Sequence, residues 1–416
     1  MKNKIKEIKP ILLSSPYGTA DNMEVQLHLP MGYRTCGMVE ITLDNGLKGV
    51  GEGYIAVFAP LVFQEIVRLT APWVEGRWLE DHRQIMSDLQ VVTGYWSRQG
   101  AARHVLSAID IALYDLLAQI AGKPLFKYLN PDAPDTLDLY ASGGDSRNTV
   151  GMKRELDEVE QLGIKTLKIR ARKEQVDKAN LYIRHAHDKG IKIAIDMTQN
   201  LLVPGQTVDE AVRFRESLCA QPSFIEEPLG PARLHDYPFL RQRINCPVAG
   251  GEIITHPDEM TDYIRRGFYD IAQPDATVIG GISALRDVFE ACEKGHDYSL
   301  FRNLPESKDI FAEVGESSNK VDIFVHCWGG ASGMAANYHA AAAFGGKTVE
   351  WPLPRFDLRQ QMLAGNWPVV DGRLHIPNLP GLGIQPTDEL KASFPFRPHA
   401  VYACLPSTNV NFTPFG

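Results

Sequence analysis

Residues 224–229 read FIEEPL, two glutamates set directly behind the apolar run Ser223-Phe224-Ile225. A run of that kind reads as the end of a buried strand, and carboxylates emerging where a strand leaves the core need water, a base or a metal as partner. The same arrangement stands upstream in IKIAIDMTQN (191–200), where Asp196 ends an apolar run, and downstream in CPVAGGEI (246–253), where Glu252 ends another. Three strand-end acids spaced 30 and 26 residues apart point to one cation site.

Spacing carries the reading outward. From Lys168 to Asp196, Glu226, Glu252 and Asp275 the steps are 28, 30, 26 and 23 residues, and His326 to Glu350 is 24, each the length of one strand–helix unit. LDLYASGG, IKTLKIR, IKIAIDM, SFIEEP, CPVAGGE, YDIAQPD, DIFVHCW and KTVEWP give eight strands, with amphipathic helices between them. That alternation predicts a parallel (β/α)8 barrel, in which strand C-termini hold the chemistry. The step from Asp275 to His326, 51 residues, is irregular and predicts an insertion over residues 296–320, either a lid near the site or an ordered loop.

Ahead of the barrel, CGMVEITLD and GLKGVGEGY meet at Asn45-Gly46, a dipeptide favoured in tight hairpins. Three helical patterns follow, the last being AARHVLSAIDIALYDLLAQIAG, apolar on most faces and therefore expected to be buried. The expected organisation is an α+β capping domain over residues 1–130, a barrel over 131–365, and a Pro- and Gly-rich segment over 366–416 that returns to the capping domain.

A formal charge of −8 argues against a nucleic-acid binder, which needs a basic face. The six cysteines are scattered without CxxC pairs and read as reduced thiols. No apolar run approaches the about 18 residues of a membrane span, and MKNKIKEIKP lacks the apolar core of a signal peptide, so a soluble cytoplasmic protein is expected.

SAIDIALYDLLAQIAGKPL, LKIR, AIDMTQN, FIEEP, AGGE, QPDATVIGGIS, HCWGGASGMAANYHAAAA, VEWP and PGLGI occur in an order and at spacings that resemble the mandelate racemase-like subgroup of the enolase superfamily over nearly the whole chain. The resemblance implies a capping domain over a modified barrel, one Mg2+ at the strand ends, and abstraction of a proton α to a carboxylate. Matched residue by residue, it implies Asp196, Glu226 and Glu252 as metal ligands and Lys168 as a contact to the substrate carboxylate. His326 would be the base and Asp275 its partner, and Glu350 would donate a hydrogen bond or proton to that carboxylate. Three carboxylates suit a hard cation, and the cation offsets the second negative charge of the enediolate.

Two departures from the subgroup bear on reaction type. Arg170 stands where a second lysine is common, and a guanidinium is a poor proton acceptor near neutrality. Racemisation needs acid/base groups on both faces of the α-carbon, whereas dehydration can run with one, so a dehydratase acting on a sugar acid is favoured. Cycloisomerisation, or racemisation and epimerisation, on the same site are the enzymatic alternatives, and a catalytically silent ligand-binding relative is the alternative of another class. Thr198, where some dehydratases carry a second catalytic histidine, is a candidate substrate contact, as are Tyr17, His28, Tyr33 and Arg34 in the candidate lid at residues 15–35. Glu227 is expected to pair with a basic neighbour. A small carboxylic acid substrate and assembly into a homo-oligomer are expected, with neither nucleic acid nor membrane as partner.

Overall fold

The computed structural model describes residues 3–19, 22, 25, 28–29, 31–199, 205–297 and 320–403. β1 (Ile5–Pro16), β2 (Tyr33–Leu43) and β3 (Lys48–Glu52) form an antiparallel meander. The β2–β3 turn closes at Gly46, whose φ of 85° suits a residue without a side chain. β3 lies flush on the helix Ala101–Ile120, because a Cβ on Gly51 would come within 2.0 Å of the Ala108 carbonyl oxygen and one on Gly49 within 2.6 Å of that of Ala112.

That helix is buried on nearly every side, as its composition predicts, and its two buried acids join parts of the fold. Asp110 accepts from the Ser283 amide at 3.1 Å and hydroxyl at 2.8 Å. Asp115 accepts from the amides of Val50 at 2.9 Å and Leu382 at 2.8 Å. Burial pushes the Asp115 carboxyl up to about 7 against the pull of these amides.

Eight parallel strands follow: β4 (Thr136–Gly143), β5 (Thr166–Arg170), β6 (Lys192–Asp196), β7 (Ile225–Glu226), β8 (Val248–Gly250), β9 (Ile271–Ala272), β10 (Asp322–Val325) and β11 (Thr348–Pro352). They pair in chain order, and β11 pairs with β4 to close the barrel. Each corresponds to one of the eight apolar runs in the sequence. Tyr140, Phe224 and Phe324, interleaved with the small Ala194 and Ala249, pack the interior as large and small side chains fill one layer. Of the expected insertion, residues 298–319 lie outside the described residues.

After β11 a short hairpin, β12 (Val369–Val370) and β13 (Arg373–His375), adds antiparallel to β4. The chain then crosses to the meander: Lys391 pairs with the buried Glu40 at 2.9 Å, Thr35 donates to the Ala400 carbonyl at 2.7 Å, and Pro395 bridges Leu13. Cys36, Cys219, Cys246, Cys292 and Cys327 are free thiols, and Cys404 lies outside the described residues. Among the described residues no helix is long and apolar enough to cross a membrane.

Candidate active site

Strand register brings the acids of the sequence together at one end of the barrel. Arg170 is in register with Asp196, and Asp196 with Glu226, at the last residues of β5, β6 and β7. Glu252 follows β8 by two residues, Asp275 follows β9 by three, and His326 directly follows β10. Lys168 and Glu350 point inward from β5 and β11 and are 4% and 0% exposed.

A single ammonium serves two carboxylates here. The Lys168 Nζ lies 2.6 Å from Glu226 Oε1 and 2.8 Å from Glu350 Oε1. Burial works against the charge of Glu350, but Lys168, His326 and the Cys327 amide outweigh it and hold the carboxyl down at about 2. Glu226 moves the other way, because burial and the charges of Asp196, Glu252 and Glu350 exceed what Lys168 returns. Gln273 donates to the other Glu226 oxygen at 2.5 Å. Asp196 is raised to about 6 by burial and by Glu252, against Lys168 and Arg170.

That surplus of buried negative charge is the chemistry of a hard-cation site, and Asp196, Glu226 and Glu252 fit a divalent ion with oxygen ligands. Among the described residues no three side chains already converge closely enough to enclose one. Glu226 is held by Lys168 and Gln273, and Glu252 lies 3.5 Å from His326 Nε2.

His326 Nδ1 stands 2.9 Å from Asp275 Oδ2. Asp275 is itself held through Oδ1 by the Thr277 amide at 2.8 Å, the Thr277 hydroxyl at 2.7 Å and the Asn337 amide group at 2.9 Å. A carboxylate fixed by three donors fixes the ring it faces, leaving Nε2 on the side of Glu252, 3.5 Å away. Burial pushes the imidazole down, but Glu252 and Asp275 raise it to about 9.

On the neighbouring arc of the ring, Arg170 Nη1 lies 2.5 Å from Asp145 and its Nε 3.7 Å from Asp196, while the guanidinium sits 4.5 Å over the Trp328 ring. Thr198 has φ 48°, unusual for a β-branched residue; its amide donates to Asp196 at 2.6 Å and its hydroxyl accepts from Arg172 at 3.1 Å. Glu227 has φ 45°. Its partners are the Gly251 amide at 2.8 Å and the Tyr237 hydroxyl at 3.3 Å, in place of the expected basic neighbour.

The lid candidates sit at different depths. Arg34 is buried, 5.0 Å over the Tyr17 ring, and donates to the Tyr54 hydroxyl at 3.0 Å. Tyr54 meets His326 edge-on at 5.8 Å, so Arg34 and Tyr17 connect to His326 through one ring. His28 stacks on Tyr402 at 4.8 Å, and Tyr33 packs under Arg397 at 3.9 Å. Tyr54, Asp145, Gln273 and Trp328 stand here without having been singled out from the sequence; Tyr54, Gln273 and Trp328 lie inside the quoted stretches GLKGVGEGY, QPDATVIGGIS and HCWGGASGMAANYHAAAA, and Asp145 directly follows LDLYASGG.

The description "Enolase C-terminal domain-like" matches residues 151–298 and 317–390, and "Mandelate racemase / muconate lactonizing enzyme, N-terminal domain" matches 25–129. Arabinonate dehydratase of Saccharolobus solfataricus is 25% identical over 351 residues, covering 83% of this chain and 86% of its own. D-galactarolactone cycloisomerase of Agrobacterium fabrum is 26% identical, covering 84% and 88%. L-talarate dehydratase from Polaromonas sp. JS666, solved with Mg and L-glucarate, superposes with a TM-score of 0.72 at 20% identity over 94% of this chain and 97% of that one, which bears on fold alone. With the C-terminal match alone spanning over half of its length, this chain belongs to the mandelate racemase/muconate lactonizing enzyme family of the enolase superfamily.

Proposed function

We propose that this protein is a Mg2+-dependent sugar-acid dehydratase, a hydro-lyase that converts a 2,3-dihydroxy carboxylate to a 2-keto-3-deoxy acid. The observation that carries the reading is the inequality of the groups at the barrel mouth. The His326–Asp275 pair at 2.9 Å offers a group able to take and return a proton. At β5 the corresponding place is held by Arg170, tied to Asp145 at 2.5 Å and unable to serve as an ordinary base. The dehydratase relative in Saccharolobus solfataricus supports the substrate class.

In this account Asp196, Glu226 and Glu252 hold the Mg2+, and the bound cation supplies electrostatic stabilisation of charge building on the substrate carboxylate. Lys168 orients that carboxylate, while Glu350, held ionised beside the Lys168 ammonium at 2.8 Å, keeps Lys168 in place and has no proton to donate as the resemblance implied. With Glu252 engaged by the cation it would no longer hold the ring protonated from 3.5 Å, and His326 Nε2 would then take the proton from C2, since Nδ1 is engaged by Asp275. The C3–O bond breaks, the imidazolium returns its proton to the departing hydroxyl as water, and the enol tautomerises to the 2-keto acid. As part of the same proposal, the protein works in the cytoplasm on a small carboxylic acid.

The test is incubation with Mg2+ and a panel of aldonic and aldaric acids and sugar lactones, with detection of the 2-keto acid. Keto acid from at least one member is the expected result. Exclusive ring opening of a sugar lactone would move the assignment to cycloisomerisation, and exclusive epimerisation to a two-base reaction.

A further inference from the structure

GLKGVGEGY in the N-terminal domain and HCWGGASG after β10 lie far apart in the sequence, and the fold closes one onto the other. Glu52, the last residue of β3, is 1% exposed. Its carboxylate accepts from the Gly330 amide at 2.6 Å, the Gly333 amide at 2.8 Å and the Ser332 hydroxyl at 3.0 Å. These donors form the N-terminus of the helix Ala331–Phe344, where amides lack intrahelical partners and a negative charge is favoured. The glycines leave room for the carboxylate: a Cβ on Gly329 would meet Glu52 Oε1 at 2.8 Å, and one on Gly330 would meet Glu52 Oε2 at 2.9 Å.

The turn so held runs from His326 to Gly330. Its near end is pinned by the His326 amide on the Pro274 carbonyl at 3.0 Å and the Cys327 amide on Glu350 at 2.7 Å. Its far end is pinned by Glu52, reached across 278 residues of sequence. Two residues beyond Glu52, Tyr54 sets its ring edge-on to the imidazole.

We propose that Glu52 is a positioning residue, fixing the turn that carries His326 so that the N-terminal domain sets the place of the base from outside the barrel. This rests on the reading of His326 as the base. Glu52 touches no reacting atom in this account. It acts through backbone, and a displacement of the imidazole by a fraction of an ångström is enough to slow proton transfer.

Glu52→Gln tests it, because the amide nitrogen sets a donor against groups that are themselves donors. With Mg2+ and a turned-over acid, kcat is expected to fall by about 10- to 100-fold while KM stays within about twofold. The 15N signals of the His326 imidazole, assigned by their loss in His326→Asn, are expected to shift. Asp110→Asn is the control, an equally buried acid of the N-terminal domain bonded to Ser283 on another barrel helix. It should lower Tm while leaving kcat within about twofold and the His326 signals in place.

Should Glu52→Gln fail to fold, Ser332→Ala removes one of the three donors and should give the same signature in smaller form. Native kcat with unmoved His326 signals in the folded variant would overturn the proposal, as would an equal kcat loss in Asp110→Asn. Failure of the underlying reading looks different: His326→Asn would then retain α-proton exchange with solvent, whatever Glu52→Gln does.

Discussion

Lys168 illustrates how much one side chain settles at this site. It lies between Glu226 and Glu350, one positive charge for two carboxylates, which leaves negative charge in excess beside Asp196 and Glu252. A cation relieves that excess. Glu226→Gln is therefore expected to weaken Mg2+ binding by about tenfold or more, measured by calorimetry. His326→Asn should leave Mg2+ affinity within about twofold and abolish turnover, since the ring contributes a proton acceptor and no ligand in this account. The acids were legible because charge behind an apolar run is costly unless partnered. The backbone at Thr198 and Glu227 was not, because neither is a glycine and nothing in either residue type announces a positive φ. Both kinks stand beside proposed metal ligands, where strained backbone collects at functional sites.

At the scale of elements, the helix Ala101–Ile120 joins more of the molecule than its sequence reveals. Its apolar faces announced burial, but nothing local showed that Asp115 joins the Val50 amide of β3 to the Leu382 amide of the C-terminal segment. Asp115→Asn leaves one of those buried amides without an acceptor and is expected to cost about 1–3 kcal/mol, read as a lowered Tm. A pH dependence follows from the raised carboxyl. The folded value of about 7 exceeds an unfolded value near 3.9, so protonation favours the folded state. The advantage of the native protein over Asp115→Asn should grow as pH falls from about 7 to about 4, and disappear as a trend outside that window. A flat difference across the window would contradict the buried-carboxyl account. The barrel strands, by contrast, were readable even where β7 and β9 are two residues long, because spacing between strand-end polar groups survives when strand length does not.

Across the whole molecule, two distant parts of the chain meet at His326, the proposed base. The barrel supplies His326 and Asp275, and the N-terminal domain supplies Glu52 and Tyr54 against the same turn. Contacts separated by hundreds of residues leave no periodic trace in a sequence, which is why the strand ends could be read and the domain contact could not. If Mg2+ binds the folded state alone, adding it at 100 times its Kd should stabilise the protein by about 2.7 kcal/mol, seen as a rise in Tm. That rise should shrink in Glu226→Gln.

The most direct test of the one-base account is a reaction in D2O with Mg2+ and a sugar acid that is turned over, followed by 1H NMR in the native protein and in His326→Asn. The account predicts that 2-keto-3-deoxy acid accumulates with the native protein, that recovered substrate keeps its C2 configuration, and that His326→Asn gives neither product nor deuterium at C2. Accumulation of the C2 epimer, or deuterium entering C2 without His326, would contradict it.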